Sequence, residues 1–385
     1  MESPPPPPIK VLQIVSRMNT GGVAVLLDSL MKSFDPGKIN ATLVTGTCGA
    51  GEEDYLGVQS PSYSVVHIPH LQKKIHPLRD IRAFFEIRRY IKESGAAVVH
   101  THTSKAGLIG RLAASTVLPR PQRIHTFHGH LLTGYFSAKN TRLVYFIERL
   151  LSGFTDSFIA MGSKVKSDLQ AVGLGRKKPF RVFLPGLVLG ELVTKSDARA
   201  QLSLDKSKIH ILYVGRMTTI KRPDRLLEVA EIISKRHSDI RFIVAGDGEL
   251  LDEIRTLATE RELPMTFLGW RGDISKLIAA SDIAILTSDN EAVPLTMIEA
   301  SMAGLPLVAT NVGSVSDVVI DGLNGYLTDT SPHAIADALE NLIIDPVLCE
   351  IMGTAGRERA ARYFSLNKMS QDHTELYQLL HRKTL

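Results

Sequence analysis

Glu291 and Glu299 bracket the segment Ala-Val-Pro-Leu-Thr-Met-Ile and follow the apolar run that begins at Ile283. Pro294 fits a first helical turn, which puts Glu291 on a loop before the helix and Glu299 about a turn and a half inside it. The helix start between them attracts negative charge, whereas acids set directly on phosphates would repel them. The pair therefore suits a ligand whose hydroxyls it holds while another element binds the phosphates. That second element is the stretch after Ile209, where an apolar run ends at Gly215, Arg216 follows at once, and Lys221 comes as a helical pattern starts. Arg offers a planar fork to phosphate oxygens and Lys a compact charge, so the two can flank a diphosphate. A lone Arg or Lys after a strand is usually just solvated. The case rests on order: strand-Gly-Arg-x4-Lys, then a second strand ending at Gly246 in Gly-Asp-Gly-Glu, then the paired acids.

Near the N-terminus, Ser16-Arg-Met-Asn-Thr-Gly-Gly-Val follows a strand and opens an apolar helix, so Gly21 and Gly22 let backbone N–H groups approach a phosphate or sugar. Gly-x-Gly-x-x-Gly is missing, which argues against a dinucleotide. His100, His102, His125, His128 and His130 cluster near two strand ends. No carboxylate or Cys at ligand spacing accompanies them, so no metal site is expected.

Strand-like runs alternate with helical patterns twice over, which predicts two doubly wound parallel sheets of the α/β class. The first set covers residues 9–15, 41–45, 65–68, 96–100, 123–127, 157–160 and 181–184. The second covers 242–245, 265–268, 283–287 and 305–309, after the strand that begins at Ile209. A linker is expected near residues 186–197. With 385 residues, 44% hydrophobic and 22% charged, the chain is long enough for two cores. Cys48 and Cys349 are too few for a disulfide framework, which favours a reducing cytoplasm. No window approaches the ~20 apolar residues of a membrane span. Residues 1–8, with an acid and a proline run where a signal peptide needs a basic then apolar stretch, read as a disordered or extended lead-in.

Charge is uneven. Residues 1–190 hold 24 Lys and Arg against 12 Asp and Glu, a net of +12, and the remainder nets −7. Lys73, Lys74, Arg79, Arg82, Arg88, Arg89 and Lys92 interleave with Ile75, Ile81, Phe84, Phe85, Tyr90 and Ile91. That pattern fits either a solvated helix with a buried stripe or a surface that docks on anionic lipid. Nucleic acid is not expected, because no binding motif accompanies the charge.

The segments VGRMTTIKRP, AGDGEL, FLGWRGD and NEAVPLTMIEASMAGLPLVATNVGSVSDVV resemble, in order and spacing, the C-terminal domain of retaining glycosyltransferases with the GT-B fold, the large family-four type. VLQIVSRMNTGGV resembles that family's first strand and glycine loop, and HTHTSKAGLIGR with HTFHGH resembles a subgroup building bacterial surface polysaccharides. The resemblance covers residues 9 to 385. It implies two Rossmann-like domains facing a central cleft: an acceptor domain at 9–190, a nucleotide-sugar domain at 191–365, and a last helix, 366–385, crossing back onto the first.

It further implies that Arg216, Lys221 and the Gly21 and Gly22 amides bear on the diphosphate, beside Gly215 and Gly246. His128 would face the donor sugar. Glu291 would contact sugar hydroxyls and Glu299 the ribose, with Ala292, Val293, Pro294 and Leu295 along the donor and Trp270 and Arg271 near the base. No cofactor or divalent metal is required on this reading, since preorganised donors stabilise the leaving phosphate. The expected donor is a UDP-hexose or UDP-N-acetylhexosamine, with GDP-mannose as alternative. The expected acceptor is a polyprenyl-diphosphate-linked glycan at the inner face of the cell membrane. A sugar-nucleotide epimerase and a non-catalytic carbohydrate-binding protein are the competing readings. Two departures stand out: Ala292 replaces the family's usual Gly, and Pro185-Gly-Leu-Val-Leu-Gly replaces an Asn-Gly linker motif. If the amide at 292 needed positive φ, Ala would weaken sugar binding.

Overall fold

The computed structural model describes residues 6–129 and 138–383. Most of the proline-rich lead-in, Met1 to Pro5, and His130 lie outside the described residues. The chain divides into two compact units, Met1–Gly186 with Leu366–Leu385, and Leu187–Ser365.

The first unit is built on seven strands, β1 (Ile9–Val15), β2 (Ile39–Thr45), β3 (Ser64–His67), β4 (Val98–His102), β5 (Gln122–Phe127), β6 (Ser157–Ala160) and β7 (Phe180–Val182), in the order β3-β2-β1-β4-β5-β6-β7. All neighbours are parallel. Strand alternation sends Val11 and Val15 to one face, where helices Gly22–Ser33 and Leu366–His381 pack, and Leu12 and Ile14 to the other, under helices Pro77–Ser94 and Ser104–Ser115. Helix Leu366–His381 buries Met369, His373, Leu376, Tyr377 and Leu380, the single stripe expected of a helix lying on a sheet.

On the second face, Arg111 is fully buried in helix Ser104–Ser115. Its Nη2 reaches both Glu148 carboxylate oxygens at 2.9 and 2.7 Å, and its Nε donates to the Gly107 carbonyl. The glycines of this helix make room: a Cβ on Gly107 would lie 2.5 Å from the His125 ring, and one on Gly110 would lie 2.7 Å from Thr101 Cγ2.

The second unit carries β8 (Ile209–Val214), β9 (Ile240–Ala245), β10 (Met265–Gly269), β11 (Ile283–Leu286), β12 (Leu307–Thr310) and β13 (Gly325–Thr328) in the order β10-β9-β8-β11-β12-β13, again all parallel. Ile211, Tyr213 and Val244 bury against helices Pro223–Arg236 and Pro332–Ile344.

Several strand ends shift by one or two residues from the sequence reading, and two of the later starts have a local cause. β4 starts at Val98 rather than residue 96, because Gly95, at φ 61°, closes the preceding helix and Ala96 and Ala97 complete the turn. β12 starts at Leu307 rather than residue 305 for the same reason, with Gly304 at φ 86°. β13 was not anticipated. It is a four-residue edge strand, and its Gly325 sits where a Cβ would lie 2.0 Å from the Leu307 carbonyl oxygen.

Candidate active site

In the second unit the strand order reverses between β8 and β11, and loops leaving the carboxyl ends of two such strands diverge to open a crevice. Arg216 and Lys221 follow β8, and Glu291 follows β11. The loops are stitched together. The Asp289 amide donates to the Ile220 carbonyl at 2.9 Å, and Thr287 Oγ1 lies 3.2 Å from the carbonyls of Lys221 and Arg222. Lys221, at the end of a 3-10 turn, thereby places Nζ 2.5 Å from Glu291 Oε1, which also accepts from Ser288 Oγ at 2.7 Å. The lysine that the sequence reading set on the phosphates and the acid it set on the sugar are thus an ion pair.

Behind Glu291 the chain passes within backbone contact of the loop after β12. The Ser314 amide donates to the Glu291 and Ala292 carbonyls at 3.2 and 3.1 Å, and a Cβ on Gly313 would lie 1.8 Å from the Glu291 carbonyl oxygen. Gly313, at φ 54°, is therefore the residue that lets this loop buttress the acid. Neither Ser288 nor Gly313 was singled out from sequence. The available signals were a hydroxyl three residues before the acid and a glycine in Asn-Val-Gly-Ser after the next strand.

Arg216 is exposed and has no side-chain partner among the described residues. Its loop is shaped by glycines: a Cβ on Gly246 would lie 1.8 Å from the Gly215 carbonyl oxygen, and one on Gly215 would meet the Tyr213 hydroxyl at 3.1 Å. The Gly246 amide in turn donates to the Gly269 carbonyl at 2.8 Å, which ties in the loop bearing Trp270 and Arg271. Trp270 is 68% exposed, while Arg271 holds Asp273 through two contacts of 2.7 and 2.6 Å.

Helix Leu295–Ala303 starts one residue later than expected. Pro294 is its cap, with ψ 107°, and offers no side chain to the free N–H groups, and the first turn holds no acid. Val293 and Pro294 are buried and Leu295 half-buried. Ala292 is not among the residues with positive φ, so replacing Gly there introduces no backbone strain. Glu299 is half-buried in this helix, and burial alone pushes its carboxyl up to about 7.

In the first unit, helix Gly22–Ser33 begins after Gly21, which has no side chain to cap it, and no acid occupies its first turn. The loop before it is fixed by Arg17, held by Glu52 at 2.5 and 2.8 Å, and by Ser16 Oγ, 2.8 Å from Thr103 Oγ1. His128 follows β5. Its Nε2 lies 2.8 Å from His102 Nδ1, its Nδ1 is buried with no partner among the described residues, and burial lowers its pKa to about 4. His100, His102 and His125 are fully buried within hydrogen-bonding contacts, and burial holds each well below the usual range, hence neutral. Among the described residues no three His, Cys, Asp or Glu side chains are placed to hold a metal ion.

Two parallel six- and seven-stranded units of this order, with basic groups and an acid at the strand-order switch, are the architecture of a GT-B glycosyltransferase. Residues 194–359 match the model for glycosyl transferases group 1, and residues 20–187 match glycosyltransferase family 4. The chain belongs to this family and is a glycosyltransferase.

Among its relatives is the UDP-Gal:alpha-D-GlcNAc-diphosphoundecaprenol alpha-1,3-galactosyltransferase of Escherichia coli, 27% identical over 340 residues, covering 84% of this chain and 85% of that one. The capsular polysaccharide biosynthesis glycosyltransferase CapM of Staphylococcus aureus is 24% identical, covering 81% and 84%. The fold is shared with Anabaena Alr3699/HepE, solved with UDP and glucose, at a TM-score of 0.81 and 20% identity over 96% of this chain and all of that one.

Proposed function

We propose that the protein moves a sugar, with retention of anomeric configuration, from a UDP-hexose or UDP-N-acetylhexosamine to a polyprenyl-diphosphate-linked saccharide in surface polysaccharide synthesis. The observation that carries this reading is the Lys221–Glu291 pair at the strand-order switch, on the same loop as an Arg216 with no side-chain partner among the described residues. The naming of the E. coli relative, matched along most of both chains, supports the choice of donor and acceptor classes.

Breaking the sugar–phosphate bond builds negative charge on the leaving diphosphate and positive charge at the anomeric carbon. Arg216 and Lys221 would stabilise the first, and Glu291, released from Lys221, would accept from a sugar hydroxyl. On the retaining path the acceptor hydroxyl attacks from the face the leaving group departs, and its proton passes to the leaving phosphate. Trp270, the only tryptophan, reports on the base pocket directly. UDP should change its emission and GDP should not, while a response to GDP alone would redirect the donor to GDP-mannose.

Glu299 gives the nucleotide step a pH signature. Ribose hydroxyls donate to a carboxylate, so binding favours the ionised form of a group that sits at about 7 in the free protein. Affinity for UDP should level off above that pH and fall about tenfold per unit below it. In the free protein the sign is opposite. A carboxyl raised from 4.5 contributes stability fully present below pH 4.5 and lost as pH rises through about 7. Calorimetry at pH 6 and 8 decides this, since equal UDP affinities would remove Glu299 from the ribose.

The acceptor side has a surface to match. Helix Pro77–Ser94 turns Ala83, Ile87 and Ile91 inward, while Leu78, Ile81 and Phe85 are 71, 56 and 60% exposed on the opposite stripe, which also carries Arg82, Arg89 and Lys92. In helix Ala138–Leu151, Leu143, Phe146 and Leu150 are each 58–59% exposed. An apolar stripe flanked by cations is the composition of an interfacial helix, with each cation worth ~1 kcal/mol at an anionic surface. No helix among the described residues is long and apolar enough to cross a membrane. The protein should sediment with anionic vesicles at low salt and be released by added salt. Changing Lys73, Lys74, Arg82 and Arg89 to Gln should lower the binding. Equal recovery in the supernatant with anionic and neutral vesicles would exclude docking.

A further inference from the structure

His100 and His102, left without a role by the sequence, join His128 in an ordered chain. His128 Nε2 lies 2.8 Å from His102 Nδ1, and His102 Nε2 lies 2.8 Å from Gln13 Oε1. Gln13 Nε2 donates to the Tyr377 hydroxyl at 2.7 Å. Tyr377 continues to His100 Nδ1 at 2.8 Å, and His100 Nε2 to Thr126 Oγ1 at 2.6 Å. Gln13 lies opposite His100 in the β1–β4 register, and His102 projects from the same face of β4 two residues on. Tyr377 descends onto that face from helix Leu366–His381. Gln13, His100 and Tyr377 have no exposed surface, and His102 and Thr126 have 2 and 1%. Such a network is retained inside a core only when its members satisfy one another.

The polarity of the chain follows from Gln13. Its carbonyl oxygen can only accept, so His102 carries its proton on Nε2 and presents a bare Nδ1. That bare Nδ1 must receive a hydrogen, so His128 carries its proton on Nε2. A neutral His128 is then left with a lone pair on Nδ1, the buried atom that has no partner among the described residues. Turning the Gln13 amide over would reverse every bond and put the proton on His128 Nδ1. The Tyr377 hydroxyl, which can donate or accept, meets the other side of the amide at 2.7 Å, so the Tyr377–His100–Thr126 arm turns with Gln13 as the His102–His128 arm does.

We infer that Gln13, His102 and Tyr377 are positioning residues that hold His128 as a hydrogen-bond acceptor at Nδ1, so that the ligand group meeting it is a donor, a hydroxyl or N–H of the sugar. The inference rests on the reading of His128 as a donor-sugar contact. It makes the last helix part of the sugar-recognition machinery through Tyr377. It also makes recognition selective in a defined way, because an unpaired lone pair rejects a sugar lacking the matching hydroxyl.

Long-range proton–nitrogen spectra of the full-length protein labelled with 15N-histidine read the tautomer without any substrate, with His128 assigned by His128→Asn. The wild type should show His128 protonated at Nε2 and bare at Nδ1. Gln13→Leu should lose that single form, and Gln13→Glu, which still accepts from His102, should keep it. In donor kinetics Gln13→Leu should raise KM for the sugar nucleotide about tenfold with kcat and UDP affinity little changed, and Gln13→Glu should restore KM. Tyr377→Phe serves the same purpose if Gln13→Leu does not fold. A wild-type His128 protonated at Nδ1, or one whose tautomer ignores Gln13 and Tyr377, overturns the inference whatever the donor proves to be. A correct tautomer with unchanged KM would instead detach His128 from the sugar.

Discussion

Arg216→Ala lowers kcat by about a hundredfold or more and leaves the melting temperature where it was. The size follows from what one preorganised donor to a developing oxyanion contributes, ~10²–10³ in rate. The unchanged stability follows from the structure, because an exposed side chain with no partner among the described residues has nothing in the fold to lose. Lys221→Ala behaves differently. It removes the proposed phosphate donor and also strips the ion pair from Glu291, whose side chain is 9% exposed, so both turnover and stability should fall. Steady-state kinetics beside thermal melts separate the two. An Arg216→Ala enzyme with wild-type turnover would remove this arginine from the diphosphate.

Glu148→Ala lowers the stability of the first unit by about 3–5 kcal/mol, because it leaves the Arg111 guanidinium buried without its counter-charge. Arg111 Nη2 gives both its contacts to that carboxylate, and Thr155 Oγ1, at 3.3 Å from Nη1, is too weak a substitute. In a unit of this size the melting temperature falls by roughly 10 °C. Replacing Arg111 and Glu148 together by Met and Leu recovers most of the loss, since the pair exchanges its desolvation cost for apolar packing. A double variant as unstable as Glu148→Ala would show that the guanidinium contributes through its bonds to Gly107 and Thr155 rather than through charge.

The contrast between Arg216 and Arg111 shows what the sequence made legible. Arg216 stands one residue after an apolar run and a glycine, a local pattern that can be read directly, and the acids at 291 and 299 announce themselves by spacing within a single loop and helix. Arg111 meets a partner 37 residues away on another helix, and no local periodicity encodes that pairing. The histidine chain was half visible. Alternation along β4 puts His100 and His102 on one face, but Gln13 and Tyr377 reach them from positions 87 and 277 residues distant from His100. The parallel sheets were legible because strands buried on both faces read as continuous apolar runs. β13, with four partly polar residues at an edge, carried no such run, and its place is set by Gly325 against Leu307. Lys221 and Glu291 were each singled out, but their contact depends on two loops being stitched by backbone hydrogen bonds.

The most direct test incubates the purified protein with UDP-hexoses and UDP-N-acetylhexosamines, one at a time, with and without a polyprenyl-diphosphate-linked saccharide, in buffer containing a chelator. One donor should release UDP in step with lengthening of the lipid-linked glycan, the new linkage should keep the donor's anomeric configuration, and the chelator should make little difference if, as proposed, Arg216 and Lys221 meet the phosphate charge. Release of UDP with free rearranged sugar and no lengthened glycan, or turnover with GDP-mannose alone, would contradict it.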